Sequence, residues 1–284
     1  MNLWTTRRFD LDLTQPKVMG IVNLTPDSFS DGGVYNAPEQ ALAHAEQLLR
    51  EGADMLDIGA ESTRPGAPAV PLEEELKRLE PVVKELVRWN VPLSIDTYKP
   101  EVMRAVLAWG ADVINDVWAL RQPGAWEALS ADPRVGVCLM HMHREPGSMQ
   151  VHPMQGDVVA QVLTFFEQAL SRADEQGVSR QRVALDPGIG FGKTVEQNLT
   201  LLREHERLQA LGCPTLVGWS RKSTLGAVLA ERVLQGQVPE PGQCVQTSVA
   251  AALLSVERGA RIVRVHDVRP TVEALALWSA MQAH

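Results

Sequence analysis

Cysteine is scarce: the 284 residues include three, Cys138, Cys213 and Cys244, far apart in the chain. An odd, scattered set excludes a disulfide framework and offers no zinc-ligand spacing, which suits a reducing compartment and makes each thiol a small core residue. Positive charge is in deficit, with 27 Lys and Arg against 35 Asp and Glu and a net charge of −8. A nucleic-acid binder needs a basic stripe, so DNA and RNA are excluded as partners. Long apolar runs are missing too. None approaches the roughly 18 residues of a membrane span. Residues 1–13, which include Arg7, Arg8, Asp10 and Asp12, lack the apolar centre of a signal peptide. These absences predict a cytoplasmic protein with no membrane partner. No serine stands in a Gly-x-Ser-x-Gly elbow, so a hydrolase nucleophile is unsupported.

What is present is a hydrophobic fraction of 45%. One barrel of about 250 residues fits the length as well as two smaller domains do. Eight short apolar or β-branched segments recur, at 18–22, 55–58, 91–95, 113–114, 135–140, 183–185, 215–217 and 262–265. Helical periodicity fills the intervals at 38–51, 72–86, 100–109, 124–129, 157–176, 195–211, 223–235, 245–258 and 270–281. The second of these shows the pattern best, with Leu72, Leu76, Leu79, Val83 and Leu86 spaced by four and three. Glu73, Glu74 and Glu75 occupy its first turn, where the helix dipole favours anions. Two helices follow the seventh strand, joined by a linker containing Pro239 and Pro241. Strand and helix alternation with right-handed crossovers gives a parallel sheet, and eight units close into a single-domain TIM (β/α)8 barrel. A doubly wound open sheet is the alternative.

Barrel active sites lie at the C-terminal ends of the strands. The residues at or just past those ends are Asn23, Asp57, Asp96, Asn115, His141, Asp186, Ser220 and His266, all polar. A single Asp or Asn there commonly caps the next helix or makes an Asx turn, a reading that applies to Asp57 taken alone. Several aimed into one mouth cannot all be caps, because an unpaired buried polar group costs about 1–3 kcal/mol and a charged one more. Asp96, Asn115 and Asp186, with Lys222 nearby, make a ring suited to a flat heterocycle with several N–H donors.

Three loops add to that ring. The stretch opening on Asn23 runs about fifteen residues before the next helix, against about 4–6 for an ordinary connection. Glu61-Ser-Thr-Arg-Pro-Gly66 carries an Arg able to reach over a ligand and clamp an anion, or forms a plain surface turn. Gly218-Trp-Ser-Arg-Lys-Ser223 brings hydroxyls, backbone N–H groups and two cations to a helix N-terminus, an anion site. In Arg264-Val-His-Asp267, Arg264 and His266 face the same side. Two resemblances mislead. Asp186-Pro-Gly-Ile-Gly-Phe-Gly-Lys-Thr194 imitates a P-loop, but the first glycine of that motif would fall on Pro187. His141, His143, His152 and Cys138 suggest a transition metal, yet the nearby acids lack ligand spacing.

Taken in order, Gly20-Ile-Val-Asn-Leu-Thr-Pro-Asp-Ser-Phe-Ser-Asp-Gly-Gly33, Gly59-Ala-Glu-Ser-Thr-Arg-Pro-Gly66, Ser94-Ile-Asp-Thr97, Asn115-Asp116, Leu139-Met-His141, Leu185-Asp-Pro-Gly-Ile-Gly-Phe-Gly-Lys193, Gly218-Trp-Ser-Arg-Lys222 and Arg264-Val-His-Asp267 span nearly the whole chain. Together they resemble the dihydropteroate synthase family of folate biosynthesis. The resemblance implies a TIM-barrel transferase and sulfonamide target. Such an enzyme condenses 6-hydroxymethyl-7,8-dihydropterin diphosphate with 4-aminobenzoate to 7,8-dihydropteroate and pyrophosphate. It places the pterin on Asp96, Asn115, Asp186 and Lys222, with Val117 and Met140 lining the slot, Gly218 in the same site and Arg264 stacked on the ring. Asn23, Thr63, Arg64, Arg264 and His266 are implied to take the diphosphate, with Mg2+ as cofactor on Asn23. Phe29, Thr63, Pro65, Phe191, Ser220, Lys222 and Ser223 are implied for 4-aminobenzoate. The catalytic set is Asp31, Asp96, Asp186, Lys222 and Arg264, with Asp31 and Asp96 stabilising a pterin methylene cation. A homodimer through the late outer helices is also implied.

Two other readings stay open: a pterin-binding methyltransferase barrel, against which the anion loops argue, and a pterin-binding paralogue without turnover. The chain departs from the family pattern at Tyr98 and Trp219, which replace smaller residues; Trp219 is expected at the aminobenzoate wall. Gln243-Cys-Val-Gln-Thr-Ser248 also departs, at a place expected to concern packing or a subunit contact.

Overall fold

The computed structural model describes residues 2–25, 37–62, 67–144 and 153–282. An antiparallel hairpin, β1 (Leu3–Thr5) and β2 (Asp10–Asp12), comes first. Eight parallel strands follow: β3 (Lys17–Asn23), β4 (Met55–Gly59), β5 (Leu93–Asp96), β6 (Val113–Asp116), β7 (Gly136–Met140), β8 (Val183–Asp186), β9 (Leu216–Val217) and β10 (Ile262–Val265). Helices α1 (Ala37–Arg50), α2 (Leu72–Leu86), α3 (Pro100–Trp109), α4 (Ala125–Ser130), α5 (Val158–Glu175) and α6 (Val195–Arg203) separate the first seven of these. Both α7 (Ser223–Arg232) and α8 (Val245–Glu257) lie between β9 and β10, and α9 (Val268–Gln282) follows. The sheet order is β8-β7-β6-β5-β4-β3-β10-β9, and a parallel bridge from Leu185 to Thr215 joins its two edges. The sheet is therefore a barrel, not an open doubly wound layer. No helix among the described residues is long and apolar enough to cross a membrane.

Two-residue alternation sorts the strand side chains. Leu56, Ile58, Ile95, Ile114, Leu139, Leu185 and Val263 join the core beneath the helices, while Met19, Met55, Val113, Cys138, Ala184, Leu216 and Ile262 form a separate cluster inside the barrel. One step of two further along that inner face come Asp57, Asn115, Met140, Asp186, Gly218 and Arg264. An apolar floor thus carries a polar layer at the strands' C-terminal ends. Register keeps the layer level, since Gly59 pairs with Asp96, Asp96 with Asn115, and Met140 with Asp186.

The hairpin was not expected from the sequence. Trp4 and Leu13 are fully buried within the floor cluster, and the Trp4 indole Nε1 donates to the carbonyl of Arg182 at 3.0 Å. It plugs the end of the barrel opposite the polar layer. Arg8 locks it down by donating from Nε and Nη2 to the buried Asp112 carboxylate at 2.8 and 2.6 Å.

Residues 195–211, expected as one helix, divide into α6 and a 3-10 stretch, His205–Leu211. The break lets the buried His205 place Nε2 2.7 Å from Thr215 Oγ1, at the root of β9. Burial pushes that imidazole down to about 4. Because the folded value lies below the unfolded one, the neutral ring favours the fold. The contribution is complete above pH ~6.5 and is lost as pH falls toward 4, amounting to about 3 kcal/mol at roughly 1.4 kcal/mol per pH unit. His205→Gln keeps a partner for Thr215 without titrating, so urea midpoints at pH 7.5 and 5 should differ less than in the parent. An unchanged pH dependence would refute the assignment.

Candidate active site

Arg264 is the hub of the polar layer. Its Nε donates to Asp57 Oδ2 at 2.6 Å and its Nη2 to Asp96 Oδ2 at 2.9 Å, while Asn115 Nδ2 donates to the same Asp57 oxygen at 3.2 Å. Burial opposes the charged guanidinium, but Asp57 and Asp96 outweigh it and hold its pKa above the ordinary value. Burial, joined by the like charges of Asp57, Asp116 and Glu75, raises the Asp96 carboxyl; Arg264 opposes that rise. Asp57 Oδ1, Asp96 Oδ1 and Ser94 Oγ are buried without a hydrogen-bond partner. Orphaned acceptors of this kind are costly unless a donor meets them. Asp57 and Asp96 stand in the rim layer, where a ligand's N–H groups answer such acceptors.

Asp186 ends β8 and accepts the N–H of Gly188 at 2.7 Å. Burial raises its carboxyl, against the Gly188 hydrogen bond and the charges of Lys222, Lys193 and Arg264. Beside it, Val117, Met140, Met142 and Phe191 form an apolar wall against which Tyr98 and Trp118 pack. Lys222 Nζ lies 4.3 Å from the centroid of the Phe191 ring. The glycines that imitate a P-loop serve close packing. A Cβ on Gly188, at φ +67°, would stand 1.9 Å from the His141 carbonyl oxygen. Buried Lys193 donates to the carbonyls of Gly188, Phe191 and His141 at 2.8, 3.1 and 3.3 Å, and burial lowers it to about 7. His141, one residue beyond inward-facing Met140, sets its ring edge-on to Phe165 at 4.9 Å. Of the eight strand-end residues, it therefore turns away from the mouth.

A third corner gathers hydroxyl, imidazole and helix N-terminus. Ser220 Oγ lies 3.0 Å from His266 Nδ1 and accepts the His266 N–H at 3.2 Å. Arg221 holds φ at +59°, left-handed for a residue with a side chain. Such strain persists where surroundings enforce it. Its N–H donates to Ser248 Oγ at 3.1 Å, and its guanidinium donates to Asp267 at 2.7 and 3.2 Å. One of the two cations expected for an anion is thus engaged in holding the loop. Ser248 and Cys244 are buried, as the packing expectation for their segment has it, and Ser248 in addition braces this loop. Trp219 is buried in the outer core, not on the aminobenzoate wall, because the inward position of that strand falls to Gly218.

Asn23 closes β3 with Oδ1 3.8 Å from where a Cβ on Gly59 would sit, at the rim of the same mouth. Ser223 opens α7. Phe29, Asp31, Thr63, Arg64 and Pro65 lie outside the described residues. On either side of 63–66, Lys99 Nζ donates to Glu61 Oε2 at 2.5 Å, to the Val70 carbonyl at 2.5 Å and to Glu75 Oε2 at 2.6 Å. The Tyr98 hydroxyl adds a donation to Glu61 at 2.8 Å. Asp57 counts among the strand-end residues in the sequence but carries no expected role on a substrate, and Met142, Lys193 and Lys99 carry none either. The signal for Asp57 was its two-residue step from Met55.

A closed barrel whose inner rim carries carboxylates, an amide and an arginine, with an anion corner alongside, is that of a (β/α)8 enzyme acting on a small, planar, anionic substrate. Residues 19–266 match the family model described as "Pterin binding enzyme". The dihydropteroate synthase of Neisseria meningitidis serogroup B is 50% identical over 285 residues, covering 99% of this chain and 98% of that protein. The Xanthomonas albilineans dihydropteroate synthase solved with 4-aminobenzoic acid is 51% identical, with a TM-score of 0.88 and coverage of 97% and 96%. The Burkholderia cenocepacia enzyme complexed with 7,8-dihydropteroate is 49% identical, with a TM-score of 0.87 and coverage of 99% and 96%. The chain belongs to the dihydropteroate synthase family of pterin-binding enzymes.

Proposed function

We propose that the barrel mouth joins 6-hydroxymethyl-7,8-dihydropterin diphosphate to 4-aminobenzoate, giving 7,8-dihydropteroate and pyrophosphate in folate biosynthesis. The carrying observation is the buried Asp57–Arg264–Asp96 arrangement, in which the second carboxylate oxygens, Asp57 Oδ1 and Asp96 Oδ1, lack partners. A pterin edge supplies N–H donors for such oxygens, and Asn115 and Asp186 extend the same rim. Val117, Met140 and Phe191 offer the faces of the heterocycle an apolar wall. The 4-aminobenzoic acid and 7,8-dihydropteroate held by the two related enzymes support this choice of substrates.

In the reaction the bond from the pterin methylene carbon to the diphosphate oxygen breaks, and its electron pair leaves with pyrophosphate. Asn23, Thr63, Arg64, Arg264 and His266 receive the phosphate oxygens, and the aminobenzoate carboxylate lies at the N-terminus of α7 after Ser220. Asp96 and Asp31 stabilise positive charge on the methylene. The arylamine nitrogen attacks that carbon and sheds a proton. Lys222, Ser223, Phe191, Thr63, Pro65 and Phe29 hold the aminobenzoate. An amide oxygen at the rim, Asn23 Oδ1, suits a hard cation that draws its other ligands from diphosphate and water. Mg2+ bound there would offset the charge of the leaving group. The assembly is a cytoplasmic homodimer, a reading supported by free buried cysteines and by the exposure of Leu254 on α8 and Leu277 on α9.

Mixing the protein with pterin diphosphate, 4-aminobenzoate and Mg2+ should release pyrophosphate and an equal amount of 7,8-dihydropteroate, with neither formed when either substrate is omitted. Absence of release would overturn the assignment.

A further inference from the structure

Asn198 lies on α6, outside the ring of groups assigned to the substrates, and is 1% exposed. A buried amide needs partners at both its oxygen and its nitrogen, and here they come from two different walls of the mouth. Its Oδ1 accepts the N–H of Gly190 at 2.9 Å, and its Nδ2 donates to Thr224 Oγ1 at 2.9 Å. Gly190 immediately precedes Phe191. Thr224 immediately follows Ser223 in the first turn of α7 and is itself buried. A cavity of about 260 Å³ lies against the same four residues, Gly190, Asn198, Ser223 and Thr224.

α6 is a firm base for such a spacer. Its N-terminus carries a reciprocal cap between Thr194 and Gln197, and Gln197 Nε2 also donates to the Met154 carbonyl at 2.8 Å. The amide sets its two partners apart by the fixed width of one carboxamide. An apolar side chain at this position would fill space but impose no spacing, because dispersion contacts carry no direction.

We infer that Asn198 is a positioning residue for the aminobenzoate subsite: by bridging Gly190 and Thr224, it sets the distance between the Phe191 loop and the N-terminus of α7. The inference rests on the proposed reaction, which assigns Phe191 and Ser223 to that substrate. The pterin ring lies deeper, among Asp57, Asp96, Asn115, Asp186 and Arg264, while the bonds of Asn198 go to Gly190 and Thr224. Loss of the spacer therefore acts on one substrate and spares the other.

The test measures KM for 4-aminobenzoate by pyrophosphate release, alongside Kd for pterin diphosphate by calorimetry. Asn198→Ala, which removes both bridges, should raise KM for 4-aminobenzoate about tenfold. Kd for pterin diphosphate should stay within about twofold, as expected for sites that share no contact. Thr224→Val deletes one bridge at constant volume and should give about a threefold rise in KM. Thr224→Ser keeps the hydroxyl and should restore the parent KM. If Asn198→Ala does not fold, the Thr224→Val and Thr224→Ser pair decides by the same criterion. Equal KM values across the variants, or weakening of both substrates together, would overturn the inference while leaving parental turnover and the reaction assignment intact. A parent protein that releases no pyrophosphate would refute the reaction itself and this inference with it.

Discussion

Arg264→Ala should lower kcat/KM by roughly 10²–10³-fold, because it strands two carboxylates that share one buried cation. Breaking a buried pair by removing a single partner costs about 3–5 kcal/mol. Here Asp57 is fully buried and the Asp96 side chain is 10% exposed. Without the guanidinium the two like charges cannot both stay ionised, and Asp96, whose carboxyl burial already raises, takes up a proton. A protonated Asp96 presents a donor where the ligand needs an acceptor. The fold pays as well, with a definite sign: a carboxyl with a raised folded pKa holds its proton more tightly folded than unfolded, so the variant loses stability as pH rises. Arg264→Lys should recover little, since one ammonium cannot reproduce the Nε and Nη2 contacts to two carboxylates. Adding Asp57→Asn to Arg264→Ala should restore urea resistance but not turnover, which separates folding from catalysis. Turnover by Arg264→Ala near that of the parent would reject the hub.

The barrel was legible because local and global signals agree. α3 was placed at both ends: Pro100 opens it, and Gly110, at φ +113°, closes it. The strands stood out as short apolar runs, and their number and alternation sufficed for the topology. The hairpin was not legible. Its apolar residues, Leu3 and Trp4 and then Phe9, Leu11 and Leu13, are too few and too divided by residues 5–8 to mark two strands before a barrel floor exists for Trp4 and Leu13 to meet. The break after Arg203 was equally hidden, since its cause is a contact between His205 and Thr215 that periodicity within the helix cannot register.

For the site, what mattered was strand phase. Asp57 sits within an apolar run; alternation puts it on the face of Met55, but nothing local says that it meets Arg264, 207 residues away. His141 illustrates the converse, a polar strand-end residue on the wrong parity. Residues that act through others were the least visible. Lys193 reaches back 52 residues to the His141 carbonyl, and Arg221 is held by Ser248, 27 residues on. Both stand inside motifs that mark groups meeting a ligand; that they brace the loops instead follows from partners fixed by tertiary structure alone.

Asp186→Asn should abolish measurable turnover, a loss of at least about 10³-fold, while leaving the fold unharmed. The substitution is isosteric, and the new carbonyl still accepts the Gly188 N–H that Asp186 accepts at 2.7 Å. What changes is the other end of the group. A carboxylate presents acceptors only, whereas the amide presents N–H where the heterocycle presents N–H, and sites built on such pairing discriminate by large factors. Stability should move the other way. Burial raises the Asp186 carboxyl, so the native charge costs free energy above the unfolded pKa, and its neutral replacement should melt at the same temperature or higher at pH 8. Lys222→Ala attacks the same pairing from the opposite side. It removes the cation that opposes the rise at Asp186 and lies over the Phe191 ring, so turnover should again fall below detection with the melt preserved. Because the two residues act on one substrate geometry, the double variant should be little worse than either single one. Pyrophosphate release and thermal melts on the three proteins decide the matter, and turnover near that of the parent in either single variant would remove that residue from the site.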